Sequence, residues 1–300
     1  MTTLSIQHLL TGNELSQQDI HHILLLATKM KQDPKLHANA FQNQCVAIIF
    51  EKPSLRTRFS FTAAISQLGA QAIESITSTR KSELPKDFIR VIQGYCSAMM
   101  IRTFDDGDLA EMKAYAKIPI INGLTDKFHP CQSLADLMTL QAVFGHVNGL
   151  KVAYIGDGNN VLHSLMLLAN KVGVTIHYCC PTGHQPDADV LNMLENQSLV
   201  KAFEHPNEAV LNCDAVYTDV WTSMGFKQKG ESAFVDHQVN ETLMAYANNN
   251  AVFMHCMPME RGKEVSETLP DAPCSVIFQQ SENRMHVQKA LLYLLMNQGG

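Results

Sequence analysis

Short apolar, β-branched runs alternate with helix-spaced segments along the whole chain, and this alternation restricts the fold more than any other feature. Val46-Ala47-Ile48-Ile49-Phe50 reads as a buried strand, followed by a polar turn and a helix over about 60–68. Ahead of it the spacing predicts a helix over 16–30, with Ser16 as N-cap and Ile20, Ile23, Leu24, Ala27 and Met30 on one face. Runs at 98–101 and 118–121 are short and apolar, and 133–144 returns to helical spacing. A second series opens at Lys151, with strands expected at 152–155, 174–178, 215–218, 251–254 and 275–278 and helices over 161–172 and 284–296. Strands separated by helices pair in parallel through crossovers rather than as hairpins. The expected fold class is α/β: two doubly wound parallel-sheet domains joined by helices. The turn-prone stretch 144–149 sets the boundary, giving one domain of 1–147 completed by a C-terminal helix at 284–300, and another of 148–283.

The charge balance is 23 basic against 29 acidic residues, a net −6. A nucleic-acid backbone is met by a basic face, so nucleic acid is not an expected partner. A small anion remains open to the chain, because it needs only a few local arginines. No apolar run reaches the ~18 residues of a membrane span, so no membrane partner is expected. The first residues lack the basic and then apolar pattern of a secretory leader. The 8 cysteines are scattered and form no Cys-x-x-Cys pair. The expectation is therefore a reduced, cytoplasmic protein without a disulfide framework or a structural zinc site.

Six segments carry chemistry, and each falls at the end of an expected strand or the start of a helix. Ser54-Leu55-Arg56-Thr57-Arg58 brings two hydroxyls and two guanidiniums to a helix start, where free N–H groups and the dipole favour phosphate. A solvated helix cap uses the same residue types. His129-Pro130-Cys131-Gln132 supplies two side chains that donate to a carbonyl oxygen, although His before Pro also serves as a plain turn. Gly156-Asp157-Gly158-Asn159-Asn160 begins like a dinucleotide fingerprint, but Val161 stands where the third glycine belongs. Its asparagines suit a carboxylate or amide. Asp219, in Asp219-Val220-Trp221-Thr222-Ser223-Met224-Gly225, is placed to pair with an ammonium or simply to cap a loop. Cys256, in His255-Cys256-Met257-Pro258, is open to three readings: nucleophile, proton acceptor, or buried small apolar residue. Arg284 stands at the expected start of the last helix.

In this order and spacing, these segments resemble the aspartate/ornithine carbamoyltransferase family along nearly the whole chain, and its ornithine branch more than its aspartate branch. The resemblance implies a homotrimer that transfers the carbamoyl group of carbamoyl phosphate to the side-chain amine of L-ornithine. It implies that Ser54, Leu55, Arg56 and Thr57 hold the phosphate. Arg102 would bridge phosphate and carbonyl oxygen, with His129, Gln132 and Arg284 on the carbamoyl group. Asn160, Asp219, Ser223 and Met224 would hold ornithine, and Cys256 and Met257 would line the site beside the reacting amine. By the same resemblance Cys256, Arg102 and His129 carry the catalysis, and the reaction requires no metal and no organic cofactor. Another amine acceptor, such as putrescine or an acylated ornithine, stays within the class. A nucleotide-binding oxidoreductase or a non-catalytic binding module is the rival outside it.

Three departures from the family pattern stand out. Met257 replaces the usual leucine, a volume-conserving change. Thr62 follows Phe61 where glutamate is common. The segment 75–83 is short and lacks the glutamine that ornithine enzymes extend to a neighbouring subunit. Lys81 lies in the matching region, and the expectation is that it makes that cross-subunit contact.

Overall fold

The computed structural model describes residues 4–76, 83–221 and 231–297. The chain forms two compact units, one of Met1–Met138 with Asn283–Gly300, the other of Thr139–Glu282. Both divisions fall inside helices. Among the described residues no helix is long and apolar enough to cross a membrane.

The first unit opens with α1 (Gln17–Gln32), whose start is held by a capping box. Ser16 Oγ accepts from Asp19 N, and the Asp19 carboxylate accepts from Ser16 N. Then follow β1 (Cys45–Phe50), α2 (Leu55–Gln67), β2 (Gln71–Ile76), α3 (Pro85–Ile92), β3 (Ala98–Arg102), α4 (Asp106–Tyr115), β4 (Ile120–Leu124) and α5 (Pro130–Phe144). The four strands are parallel in the order β2-β1-β3-β4. Ala47, Ile49, Met99, Ile101 and Ile120 from the sheet pack with Phe88, Ile89, Leu109 and Met112 from the helices. The chain leaves β1 toward one edge and returns through β3 toward the other. The carboxyl ends of β1 and β3 therefore flank the switch point where such sheets bind ligands.

The second unit carries β5 (Lys151–Ile155), α6 (Asn160–Lys171), β6 (Thr175–Cys179), α7 (Ala188–Asn192), β7 (Val200–Ala202), α8 (Pro206–Val210), β8 (Ala215–Thr218), α9 (Glu241–Met244) and β9 (Val252–His255). Its parallel order is β7-β6-β5-β8-β9, with the switch point between β5 and β8. Every residue of α6 from Asn160 to Asn170 is buried, so the helix is packed on all sides and encloses the polar Asn160, His163, Ser164 and Asn170 along with its apolar majority. The last helix is α10 (Ile277–Met296).

Three sequence expectations need correction. The second helix begins at Leu55 rather than near 60, because Ser54 caps it by accepting from Thr57 N at 3.3 Å. Residues 275–278 are not a strand: Ser275 makes an isolated bridge to Phe253, and α10 starts at Ile277. β2 and β7 were not expected at all. Both are edge strands with partly exposed faces, so neither presents a continuous apolar run.

Candidate active site

In the first unit, the loop after β1 is pinned to the end of β3. Glu51 N and Lys52 N both donate to Arg102 O, at 2.9 and 3.4 Å. The β3–β4 register slips between Ile101 and Arg102, at the point where the arginine leaves the sheet. Ser54 Oγ donates to Thr57 Oγ1 at 3.0 Å while capping α2. The first turn of α2 holds no acidic residue, so its positive end is left to an anion. Leu55 is exposed and Arg56 half-buried, whereas Thr57 is fully buried.

His129 precedes α5, and both it and Gln132 are buried. Burial holds the His129 imidazole well below its ordinary pKa, with Arg284 and Arg102 adding to the effect. A neutral ring with an N–H to give is suited to polarise a carbonyl without adding a charge. Arg284 lies in the second turn of α10, not at its start, and its Nη2 donates to Thr57 Oγ1 at 2.9 Å. Thr57, Arg102, His129, Gln132 and Arg284 are all buried, with Arg284 bonded to Thr57 and both arginines acting on the charge of His129. Cys131 does not join in chemistry, since burial pushes its thiol up to about 12 and its Sγ donates to Asn122 O.

In the second unit, Gly156 and Gly158 serve the chain itself. A Cβ on Gly158 would lie 2.4 Å from Pro186 N and 2.5 Å from the Gln185 carbonyl carbon. The glycine therefore admits the chain's own 184–186 backbone, which occupies the space against it. This removes the geometric basis for a dinucleotide reading. Asn159 caps α6, accepting from Val161 N and Leu162 N, and its Nδ2 donates to Asp219 Oδ2 at 2.8 Å. Asn160 is buried as the first residue of the helix.

Asp219 follows β8 and Cys256 follows β9, on neighbouring strands. The Cys256 thiol donates to Asp219 Oδ1 at 2.8 Å, and Val220 N donates to the same oxygen at 2.8 Å. Burial raises the Asp219 pKa, opposed by His255 and by the three hydrogen bonds from Cys256, Val220 and Asn159. Behind this pair, His255 Nδ1 accepts from Met257 N at 2.9 Å. A backbone N–H only donates, so the ring proton sits on Nε2, which donates to Glu264 Oε1 at 3.1 Å. Met257 adopts φ 60, and the His255 ring steadies this unfavourable backbone through that bond.

Asp219, His255 and Cys256 bring ligand atoms within 4.8 Å of one another, a group able to hold a metal ion. Both ring nitrogens of His255 are already engaged, so an ion would have to displace Met257 N or Glu264. Lys81, Ser223 and Met224 lie outside the described residues. A cavity of about 830 Å³ beyond β6 and β7, lined by Cys180, Phe203, Glu204 and His237 among others, includes none of the expected site residues.

Asn159 was singled out with Asn160 in the sequence, but its role as the α6 cap that holds Asp219 was not read, although an N-cap side chain directly ahead of an apolar helix is a usable signal. Glu264 escaped the sequence reading and left no signal, since only the loop after β9 returns it to His255.

Residues 7–142 match the family model for the aspartate/ornithine carbamoyltransferase carbamoyl-P binding domain, and residues 148–295 match that for the Asp/Orn binding domain. The chain belongs to the aspartate/ornithine carbamoyltransferase family. Among family members, the ornithine carbamoyltransferase of Bacillus subtilis is 42% identical over 99% of this chain and 96% of its own length. That of Thermococcus kodakarensis is 38% identical over 99% of this chain and 98% of its own. The solved ornithine carbamoyltransferase of Pyrococcus furiosus superposes with a TM-score of 0.92 at 38% identity, covering 99% of each chain. The two parallel sheets are thus the family's architecture. Thr57, Arg102, His129 and Gln132 fall in the stretch matched by its carbamoyl-P binding domain, and Asp219, Cys256 and Arg284 in the stretch matched by its Asp/Orn binding domain.

Proposed function

We propose that this protein transfers the carbamoyl group of carbamoyl phosphate to the side-chain amine of L-ornithine, giving L-citrulline and phosphate. The observation that carries the choice of acceptor is the buried Asp219 carboxylate, held by Cys256, Val220 and Asn159. A buried carboxylate selects an ammonium and rejects the second carboxylate of aspartate. The full-length similarity to ornithine carbamoyltransferases supports the same acceptor.

In this reading the first turn of α2, with Ser54, Leu55, Arg56 and Thr57, binds the phosphate. Arg102, His129 and Arg284 stabilise the oxyanion that develops on the carbamoyl carbonyl, and Gln132 holds the carbamoyl nitrogen. Each such donor is typically worth ~3 kcal/mol in the transition state. Asn160, Asp219, Ser223 and Met224 hold ornithine, while Cys256 and Met257 flank its side-chain amine. That amine must lose a proton before it attacks, since its solution pKa is near ~10.4. Asp219 and the departing phosphate are the groups able to take it, Asp219 either directly or through the Cys256 thiol, which passes its own hydrogen to the carboxylate as it receives the amine's. The amine nitrogen then bonds to the carbamoyl carbon, and the C–O bond to phosphate breaks with its electron pair leaving on phosphate.

The same reading makes the protein a cytoplasmic homotrimer in arginine metabolism. Self-association is supported by apolar side chains left exposed on the first unit, Leu55 and Phe59 one turn apart on α2 among them. The deciding experiment is a steady-state assay of carbamoyl phosphate with ornithine, putrescine, acylated ornithine and aspartate. Citrulline formation supports the proposal, and preference for another amine overturns it.

A further inference from the structure

Gln132 and Asp136 lie one turn apart in α5 and are both fully buried. Gln132 Nε2 donates to Asp136 Oδ1 at 2.8 Å. Gln132 Oε1 is buried as well, and it meets no hydrogen-bond partner among the described residues. An amide has a donor end and an acceptor end, and it turns whichever way its neighbour demands. A carboxylate offers no hydrogen, so it claims the NH₂ end and leaves the oxygen pointing away from Asp136.

We propose that Asp136 is a positioning residue that sets substrate specificity by fixing the orientation of the Gln132 amide. With Oε1 turned outward, Gln132 presents an acceptor to the NH₂ of a carbamoyl group. Acetyl phosphate has nearly the same shape and charge but carries a methyl group there. Its binding would leave the buried Oε1 unpaired, and sites built to hydrogen-bond an N–H reject analogues that lack it. If the amide were reversed, its own NH₂ would face the substrate NH₂, donor against donor. Asp136 thereby discriminates between two acyl phosphates without touching either one. The inference rests on the carbamoyl-transfer reading given above.

The test is Asp136→Asn, a near-isostere able to face Gln132 with either its oxygen or its NH₂. Two quantities are read on folded enzyme: kcat and KM for carbamoyl phosphate, and the inhibition constant of acetyl phosphate competing with it. The expected result is a KM for carbamoyl phosphate raised about tenfold, with the acetyl phosphate constant changed by less than about twofold. In a Gln132→Met background the same change should leave the ratio of the two constants unaltered. Parallel weakening of both ligands, or no change in either, overturns the proposal. Should Asp136→Asn fail to fold, Asp136→Ser, whose hydroxyl also gives or accepts a hydrogen, is read by the same criteria. A wild-type protein that makes no citrulline removes this inference together with the functional reading. Turnover by wild type with parallel weakening in the variant removes this inference alone.

Discussion

Arg284 Nη2 donates to Thr57 Oγ1 across 2.9 Å, joining two buried residues 227 positions apart in the chain. Thr57 belongs to the first turn of the second helix and Arg284 to the last helix. Together with Lys31 Nζ on Asn283 Oδ1 and Lys289 Nζ on Pro34 O and Gln67 Oε1, the bond ties the last helix from Asn283 onward to the first unit. It also places a cation beside the helix start proposed to bind phosphate.

Arg56 is the side chain at that helix start on which a direct kinetic test is simplest. A guanidinium holds phosphate oxygens with two parallel N–H groups, and an ammonium cannot reproduce the fork. Arg56→Lys is expected to lower kcat/KM for carbamoyl phosphate at least about tenfold, or ~1.4 kcal/mol. Unchanged kinetics would remove Arg56 from the site.

Cys256 donates to Asp219, so its removal has two separable effects. Cys256→Ala leaves Asp219 Oδ1 with Val220 N alone and should cost about 2 kcal/mol of stability. If the pair also serves the reacting amine, kcat falls by about 10² or more while carbamoyl phosphate binding holds. Chemical denaturation read beside turnover per folded enzyme separates the two effects. Wild-type turnover in the variant would reduce Cys256 to a structural donor.

Glu264 is expected to matter for stability through His255. Its Oε1 accepts from both His255 Nε2 and Glu260 N, and both acid and imidazole are buried. Glu264→Ala orphans these donors and should destabilise the fold by ~3 kcal/mol. Glu264→Gln keeps an acceptor oxygen and should cost under about half as much. Equal losses in the two variants, measured as denaturation midpoints, would contradict the assigned tautomer.

Acid sensitivity follows from the buried histidines. His129 titrates well below 6.5 when folded, because burial and then the two arginines disfavour its charge. The unfolded chain takes up a proton near pH 6.5 and the folded chain does not, so stability falls as pH drops below that value. One such group contributes up to ~1.4 kcal/mol per pH unit until its folded pKa is reached. His8, His37, His177 and His237 are lowered as well, each chiefly by burial, and act in the same direction. Thermal midpoints should decline from pH 7 toward 5.5, and His129→Asn should make that decline shallower. An unchanged slope in the variant would mean that His129 is protonated in the native state.

Lys81 is tested by complementation. Subunits carrying Lys81→Ala are dissociated and reassembled with subunits carrying Arg102→Ala. If Lys81 completes a neighbouring subunit's site, mixed assemblies regain part of the wild-type activity that neither parent has. Activity of the mixture equal to the average of its parents would confine the site to one subunit.

The alternation of apolar runs and helix-spaced segments was enough to define two parallel α/β sheets, because buried central strands read as continuous apolar stretches. The edge strands at 71–76 and 200–202 were illegible for the converse reason, being partly exposed. Local signals also placed Ser54, His129, Asp219 and Cys256 at the ends of strands or the starts of helices, which is where the structure has them. The early start of the second helix was there to be read in Ser54, whose hydroxyl is an ordinary N-cap.

Contacts between distant segments required the tertiary structure. Nothing in the sequence pairs Thr57 with Arg284, Asn159 with Asp219, or His255 with Glu264. Local propensity acts over a few residues, whereas these bonds depend on which strand ends the sheet order makes neighbours. The role of Gly158 was decided in the same way, by the 184–186 backbone that folds against it. Sequence alone specified the kinds of groups available and the strand ends that carry them. Packing decided which donor meets which acceptor, because burial leaves each polar group only the partners that the fold brings within reach.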